Sequence, residues 1–222
     1  YNVTVKGSKA DNITGKSTKN NVNVTNSSDL NANQDINLIA EKGSVNIDNS
    51  KVNADRDANI TAYNTIAFGT GKNITPTADI DGGRNVNITS TNGDITAEKT
   101  DMPEIEYGNR LTFDAARDNV FTSQNSLKSV NVDYKAGRAN KFYTEGDNQF
   151  VNSTFEAPEN FVESGHDVIL NNLEVKAPDG TTPKNVKTEI YANGNVTTDN
   201  VTNEDLTATG GVFPQSVKTD RT

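Results

Sequence analysis

Residues 35–62 say nearly the same thing twice. Asp35-Ile36-Asn37-Leu38-Ile39-Ala40 is echoed 22 residues later by Asp57-Ala58-Asn59-Ile60-Thr61-Ala62, and another alternating run, Val45-Asn46-Ile47, lies between the copies. An internal repeat of this length restricts the fold more than any other feature of the chain, because each unit must be one small module that stacks on copies of itself. The step continues. Leu30 recurs as Val52 and Ile74, and Ile36 recurs as Ala58 and Ile80, each 22 residues on. Val22/Val24 recur as Val45/Ile47 and Ile66/Phe68, at steps of 23 and 21. The spacing predicts two inward columns, Leu30–Val52–Ile74 and Ile36–Ala58–Ile80.

Within each unit apolar and polar residues alternate, the pattern of a half-buried strand. Turn formers separate the runs: Asn26-Ser27-Ser28, Glu41-Lys42-Gly43, Asn49-Ser50 and Gly69-Thr70-Gly71. Three short strands per unit is the simplest account. One such unit buries about six apolar side chains, worth roughly 1.5–3 kcal/mol each, and ordering its residues costs roughly 1.5 kcal/mol apiece. It cannot stand alone. Stacked in parallel, every strand pairs with its equivalents above and below. The expected fold is all-β: a single-stranded parallel β-helix, a solenoid with coils of about 20–23 residues.

The hydrophobic fraction of 32% is low for a globular chain, where ~45–50% is usual. The alternation explains how so little suffices. The chain holds 33 Asn and 27 Thr; Thr suits strands, and Asn suits turns because it tolerates the left-handed conformation.

The regular pattern fills 1–100. Asp101-Met102-Pro103-Glu104 interrupts it, and Pro103 cannot donate to a strand ladder. Over 101–184 the texture changes: 11 of the 14 aromatics follow residue 105, including Phe113, Phe121, Phe142, Phe150, Phe155 and Phe161. Spacing near 20 persists through Leu111/Phe113, Val130/Val132, Phe150 and Val168/Leu170. This reads as a continued solenoid with larger inward residues; a separate β-rich domain is the alternative. Residues 185–222 return to further coils in the Asn/Thr style. Met102 is the only methionine and the chain opens in mid-pattern, so it reads as a piece of a longer protein.

A net charge of −9 opposes a nucleic-acid partner, which needs a basic face. No apolar run is long enough to span a membrane, and the absence of Cys excludes disulfide scaffolds and Cys-ligated zinc. No cofactor or metal is expected.

Asn21-Val22-Asn23-Val24-Thr25, Ser44-Val45-Asn46-Ile47 and Asp35-Ile36-Asn37-Leu38 resemble the repeats of bacterial filamentous haemagglutinin-type adhesins. The resemblance is closest over 20–98, extends to 185–210, and fades over 105–180. It implies a β-helical shaft in a large secreted or cell-surface protein, with the rest of the parent filament as its neighbour and a host-cell glycan or protein receptor as partner. It implies no catalytic residues.

Candidate sites were weighed against plainer readings. Gly69-Thr70-Gly71-Lys72-Asn73 resembles a phosphate loop but reads as a turn. His166, the only histidine, sits in a turn. Asp79-Ile80-Asp81-Gly82-Gly83 and Asp55-Arg56-Asp57 offer oxygens to Ca²⁺ but lack a full calcium-loop pattern. Ten Asn-x-Ser/Thr triplets, Asn59-Ile60-Thr61 and Asn87-Ile88-Thr89 among them, read as a by-product of strand alternation. Asp133, Glu145, Asp147, Glu156, Glu159 and Glu163 could meet across coils as a carboxylate pair, the signature of a carbohydrate-active β-helix enzyme. That is the alternative to a structural adhesin segment. For partner contact the candidates are Tyr134, Arg138, Phe142 and Tyr143, because recognition energy concentrates in aromatic and Arg side chains.

Overall fold

The computed structural model describes residues 2–25, 28–48, 50–69, 79–98, 111–178, 186–202 and 206–209. Ile74, most of the Gly69–Asn73 turn and the interruption at Asp101–Glu104 lie outside the described residues, as do Asn26, Ser27 and Asn49.

Strands wind in repeating threes. Val3–Val5, Ser8–Ala10 and Ile13–Ser17 make the first coil; Val22–Val24, Asp29–Ala32 and Ile36–Ala40 make the second, directly above it. All pairing among the described residues is parallel and runs between coils. The result is three ladders along one axis, and the chain is an all-β parallel β-helix. The third ladder is a sheet of nine strands, one per coil. The first two begin separately and merge into one sheet where Asn148–Glu156 and Val168–Lys176 each run continuously through both.

Alternation sets the interior. Ile36–Ala40 reads buried, half-buried, buried along its length, and Val45–Ile47 does the same. In the second ladder Leu30, Val52, Ile80, Phe113, Tyr134 and Phe155 form one inward column. Ile80 therefore belongs with Leu30 and Val52, and the Ile36–Ala58 column continues to Val86 instead. The reason is coil length. Equivalent residues of the first ladder are 23 apart from Val22 to Val45 and 21 apart from Val45 to Ile66. From Ile66 to Ile95 the step is 29, and from Ile95 to Leu127 it is 32. It returns to 21 at Asn148 and 20 at Val168, then rises to 28 at Val196. The expected 20–23 residues hold for the short coils. In the longer ones the described strands keep register. Strands on either side of residues 99–110 share the same sheets: Ile95–Glu98 pairs with Leu127–Val130, and Asn85–Ser90 with Asp118–Ser123.

Corners are held by two devices. Some bring backbones into near contact: a Cβ on Gly43 would lie 2.2 Å from the Asn20 carbonyl oxygen, and one on Gly165 2.2 Å from that of Glu145. Elsewhere a single residue turns the chain. Between the first and second ladders of the later coils, Asn131, Asn152, Asn172 and Asn200 stack one above another with φ of 58°, 48°, 54° and 50°. Asn tolerates this left-handed conformation better than other residues with a Cβ. The Asn172 amide donates to Asn152 Oδ1 at 2.8 Å, and that of Asn200 to Asn172 Oδ1 at 2.7 Å. Asn172→Ala is expected to lower stability by about 1–2 kcal/mol, and Asn172→Gly by less. Equal losses in a urea titration would show that backbone conformation is not what Asn supplies here.

A second asparagine row is internal. The column Ile36–Ala58–Val86 becomes Asn119, Asn140 and Asn160, then Thr188. These four are at most 2% exposed. Each amide reaches the next coil: Asn119 to Asn140 at 2.9 Å, Asn140 to Asn160 at 3.0 Å, Asn160 to Thr188 at 3.4 Å. Spare hydrogens go to backbone carbonyls, that of Lys135 from Asn119 and that of Tyr134 from Asn140. The row starts above Val86, which offers no donor, so Asn119 Oδ1 has no partner among the described residues.

Candidate functional site

Beyond residue 110 rings replace aliphatic side chains in the core. Phe113, Phe121, Tyr134, Phe142, Phe150 and Phe155 are each at most 1% exposed. Phe142 lies 4.9 Å from Tyr134, 4.8 Å from Phe150 and 5.1 Å from Phe155 between ring centroids, at the spacings aromatic pairs favour. The Tyr134 hydroxyl meets Ser129 Oγ at 2.5 Å, and burial raises its pKa. Ser129 occupies the inward column of Phe68 and Ala97, where its small side chain leaves room for that hydroxyl. Tyr134 and Phe142 therefore serve the interior, and their expected role as contact residues is corrected: no partner reaches them.

Arg138 is on the surface but engaged. Its guanidinium holds Asp118 of the coil before in a two-pronged ion pair, with Nε at 2.7 Å from Oδ1. Arg56 on Asp35 and Arg84 on Asp57 repeat the arrangement. These pairs engage Arg56 and Asp57 of the Asp55-Arg56-Asp57 run. In each, the Arg hydrogen bond pulls the carboxyl below its ordinary value. A depressed folded pKa contributes stability that is present above the unfolded value, about 3.9, and is lost as pH falls through the folded one. The melting temperature is expected to fall between pH 5 and pH 2. Asp118→Asn should melt lower at pH 7 and lose less over the acid range; a parallel acid profile would remove Asp118 from the account.

Asp133, Glu156, Glu159 and Glu163 have no carboxylate beside them in register, whereas Glu145 and Glu163 line one cleft. Asp133 lies between Thr112 and Thr154, Glu156 between Lys135 and Lys176, Glu159 between Ala139 and Lys187, and Glu163 between Tyr143 and Tyr191. Asp147 caps a corner. Its Oδ1 accepts the Asp167 amide at 3.1 Å and faces His166 Nδ1 at 2.8 Å. Asp167 Oδ1 accepts the Asn195 amide at 2.7 Å in turn. Asp147, His166 and Asp167 cluster closely enough to suggest a metal centre, yet these backbone bonds explain their placement as coil-to-coil caps. The amide hydrogen bond from Asp167 lowers the Asp147 pKa, with His166 adding to it, and Asp147 raises that of His166 above 6.5.

Tyr143 alone of the candidate contact residues belongs to an open aromatic group. On the outer face of the third ladder its ring is 5.5 Å from Phe161, and Phe161 is 5.4 Å from Tyr191, tilted by 43° and 40°. Tyr191 is 40% exposed; Tyr143 and Phe161 are half-buried. Beside them lies a cleft of about 290 Å³, lined in part by Glu145, Glu163, Gly165 and Tyr191. Sequence reasoning passed over Phe161 and Tyr191 as members of a site. The signal was present: Tyr143, Glu163 and Tyr191 share one register column, visible only once strand direction assigns the outward face.

No curated protein and no solved structure matches the chain. A family model described as Hemagglutinin repeat matches residues 8–79 and again 73–181, spans that correspond to the stacked coils. The chain belongs to the hemagglutinin repeat family.

Proposed function

We propose an adhesin-type structural role in a protein that is secreted or displayed at the cell surface, a reading that membership of the family supports. We propose, more specifically, that this chain is a non-catalytic segment of the rod of a large filamentous adhesin, with regular coils over 1–100, an aromatic-cored stretch over 101–184 and further coils over 185–222. The observation that carries this reading is the continuity of the third ladder, in which each coil supplies one strand to a single parallel sheet. Its mechanism is geometric. Each coil adds one strand spacing, ~4.8 Å, of height, and holds whatever lies beyond it away from the surface.

The test removes one whole coil, residues 22–44, so that Val45 takes the place of Val22 above Val3. The shortened chain is expected to fold and melt cooperatively, while removal of 22–33 alone should not. Failure of the whole-coil deletion to fold would count against a stack of equivalent units. The intact chain is also expected to leave polysaccharides undegraded; release of new reducing ends that Glu163→Gln abolishes would overturn the non-catalytic reading.

A further inference from the structure

We propose that the outer face of the third ladder around Tyr143, Phe161 and Tyr191, with Glu145 and Glu163, binds a neutral pyranose glycan. The proposal deepens the adhesin reading and rests on it.

In the earlier coils this face carries no ring: its residues are mostly small and polar, with Ile39 and Val120 the aliphatic exceptions. Asn37, Asn59 and Asn87 form an amide row, and Thr61 and Thr89 fill the next column. Such a face is already satisfied. Further along, the same two columns hold Lys141 and Tyr143, then Phe161 and Glu163, then Glu189 and Tyr191. The core is on the other side of the sheet, so these rings fill no interior space. Single exposed aromatics are ordinary, but three rings in mutual contact on an outer face mark a recognition surface.

The polar groups restrict the ligand. Glu163 stands in register between Tyr143 and Tyr191, and Glu145 lines the same cleft. Neither is in an ion pair among the described residues, whereas nearby Lys187 is held by Glu189 and Lys141 faces Asp118. The site therefore offers an apolar ring face flanked by hydroxyl-accepting carboxylates. A pyranose presents the complement: one face of electropositive C–H groups, which suits the negative face of an aromatic ring, and a rim of hydroxyl donors. The cleft volume is near the lower end of small-ligand sites, ~300 Å³, with room for a ring against Tyr191 and the row extending along the sheet. A net charge of −9 and two unpaired carboxylates repel sulfated, uronic or sialylated chains.

The probes are neutral tetrasaccharides of the cello-, chito- and lacto-series, with a heparin tetrasaccharide and sialyllactose as the acidic arm. Binding is read by saturation-transfer NMR on the full chain. At least one neutral probe is expected to bind. Tyr191→Ser should weaken it about tenfold or more, and Glu163→Gln, which keeps the side-chain shape, should weaken it severalfold. Tyr63→Ser, removing the other exposed tyrosine among the described residues, should change nothing. The proposal is overturned if no neutral probe binds, if an acidic probe binds more tightly, or if both site variants bind as the parent does. It is also overturned if Tyr191→Ser abolishes self-association in ultracentrifugation while no sugar binds, since a second copy would then be the occupant. None of these results touches the coil-deletion and degradation tests of the rod, so the two readings fail separately.

Discussion

Ile60→Asp is expected to unfold the coils around it, at a cost above about 4 kcal/mol. Ile60 is fully buried, stacked between Leu38 and Ile88 in the third ladder. A carboxylate there has apolar neighbours above and below. It must either ionise without a partner or take up a proton and still lack hydrogen bonds. In a stack, the loss spreads, because each coil is stable only against its neighbours. The adjacent residue gives the contrast. Asn59 points outward, and alternation alone predicts that Asn59→Asp does little. The structure raises that expectation to about 1 kcal/mol, because the Asn59 amide donates to Asn37 Oδ1 at 3.0 Å and a carboxylate cannot. Urea midpoints for the two variants decide the matter. Similar losses from both would mean that the inward and outward faces have been misassigned.

Phe142→Ala is the second large effect, about 3–5 kcal/mol. The ring touches Phe121, Tyr134, Phe150 and Phe155, drawn from all three ladders and from neighbouring coils. Its removal leaves a cavity whose walls are other rings, too stiff to collapse into it. Tyr134→Phe should cost far less, about 1 kcal/mol, since the ring stays and only the contact with Ser129 is lost. The comparison is again a pair of denaturant titrations. A mild Phe142→Ala phenotype would indicate that the aromatic core rearranges freely.

The sequence carried the architecture because coils of nearly equal length repeat their pattern at a nearly fixed step. Val22, Val45 and Ile66 were alignable by counting for that reason. Counting failed at Ile80, because the coil that contains it is longer and a fixed step assigns it to the wrong ladder. The buried Asn119, Asn140 and Asn160 were hidden differently. Asparagine in a polar chain reads as a turn residue, and nothing local distinguishes an inward amide. Their common context, a small residue three positions earlier at Ala116, Gly137 and Ala157, was the available clue. Tyr134 and Phe142 illustrate the converse. Aromatics that look like contact residues in a thin, polar sequence are here what fills the interior, whereas Tyr143, one position on from Phe142, faces outward by strand alternation. The open group it joins spans three coils, and no linear window contains Tyr143, Phe161 and Tyr191 together.

The unequal steps along the first ladder have a consequence for how such a protein measures distance. Ile66 and Ile95 are separated by 29 residues and Asn148 and Val168 by 20, yet each pair occupies adjacent strands. The solenoid is thus a ruler graduated in turns, indifferent to how much chain each turn contains. Chain can be added between strands without altering the height of the stack, and that height can change only in whole graduations.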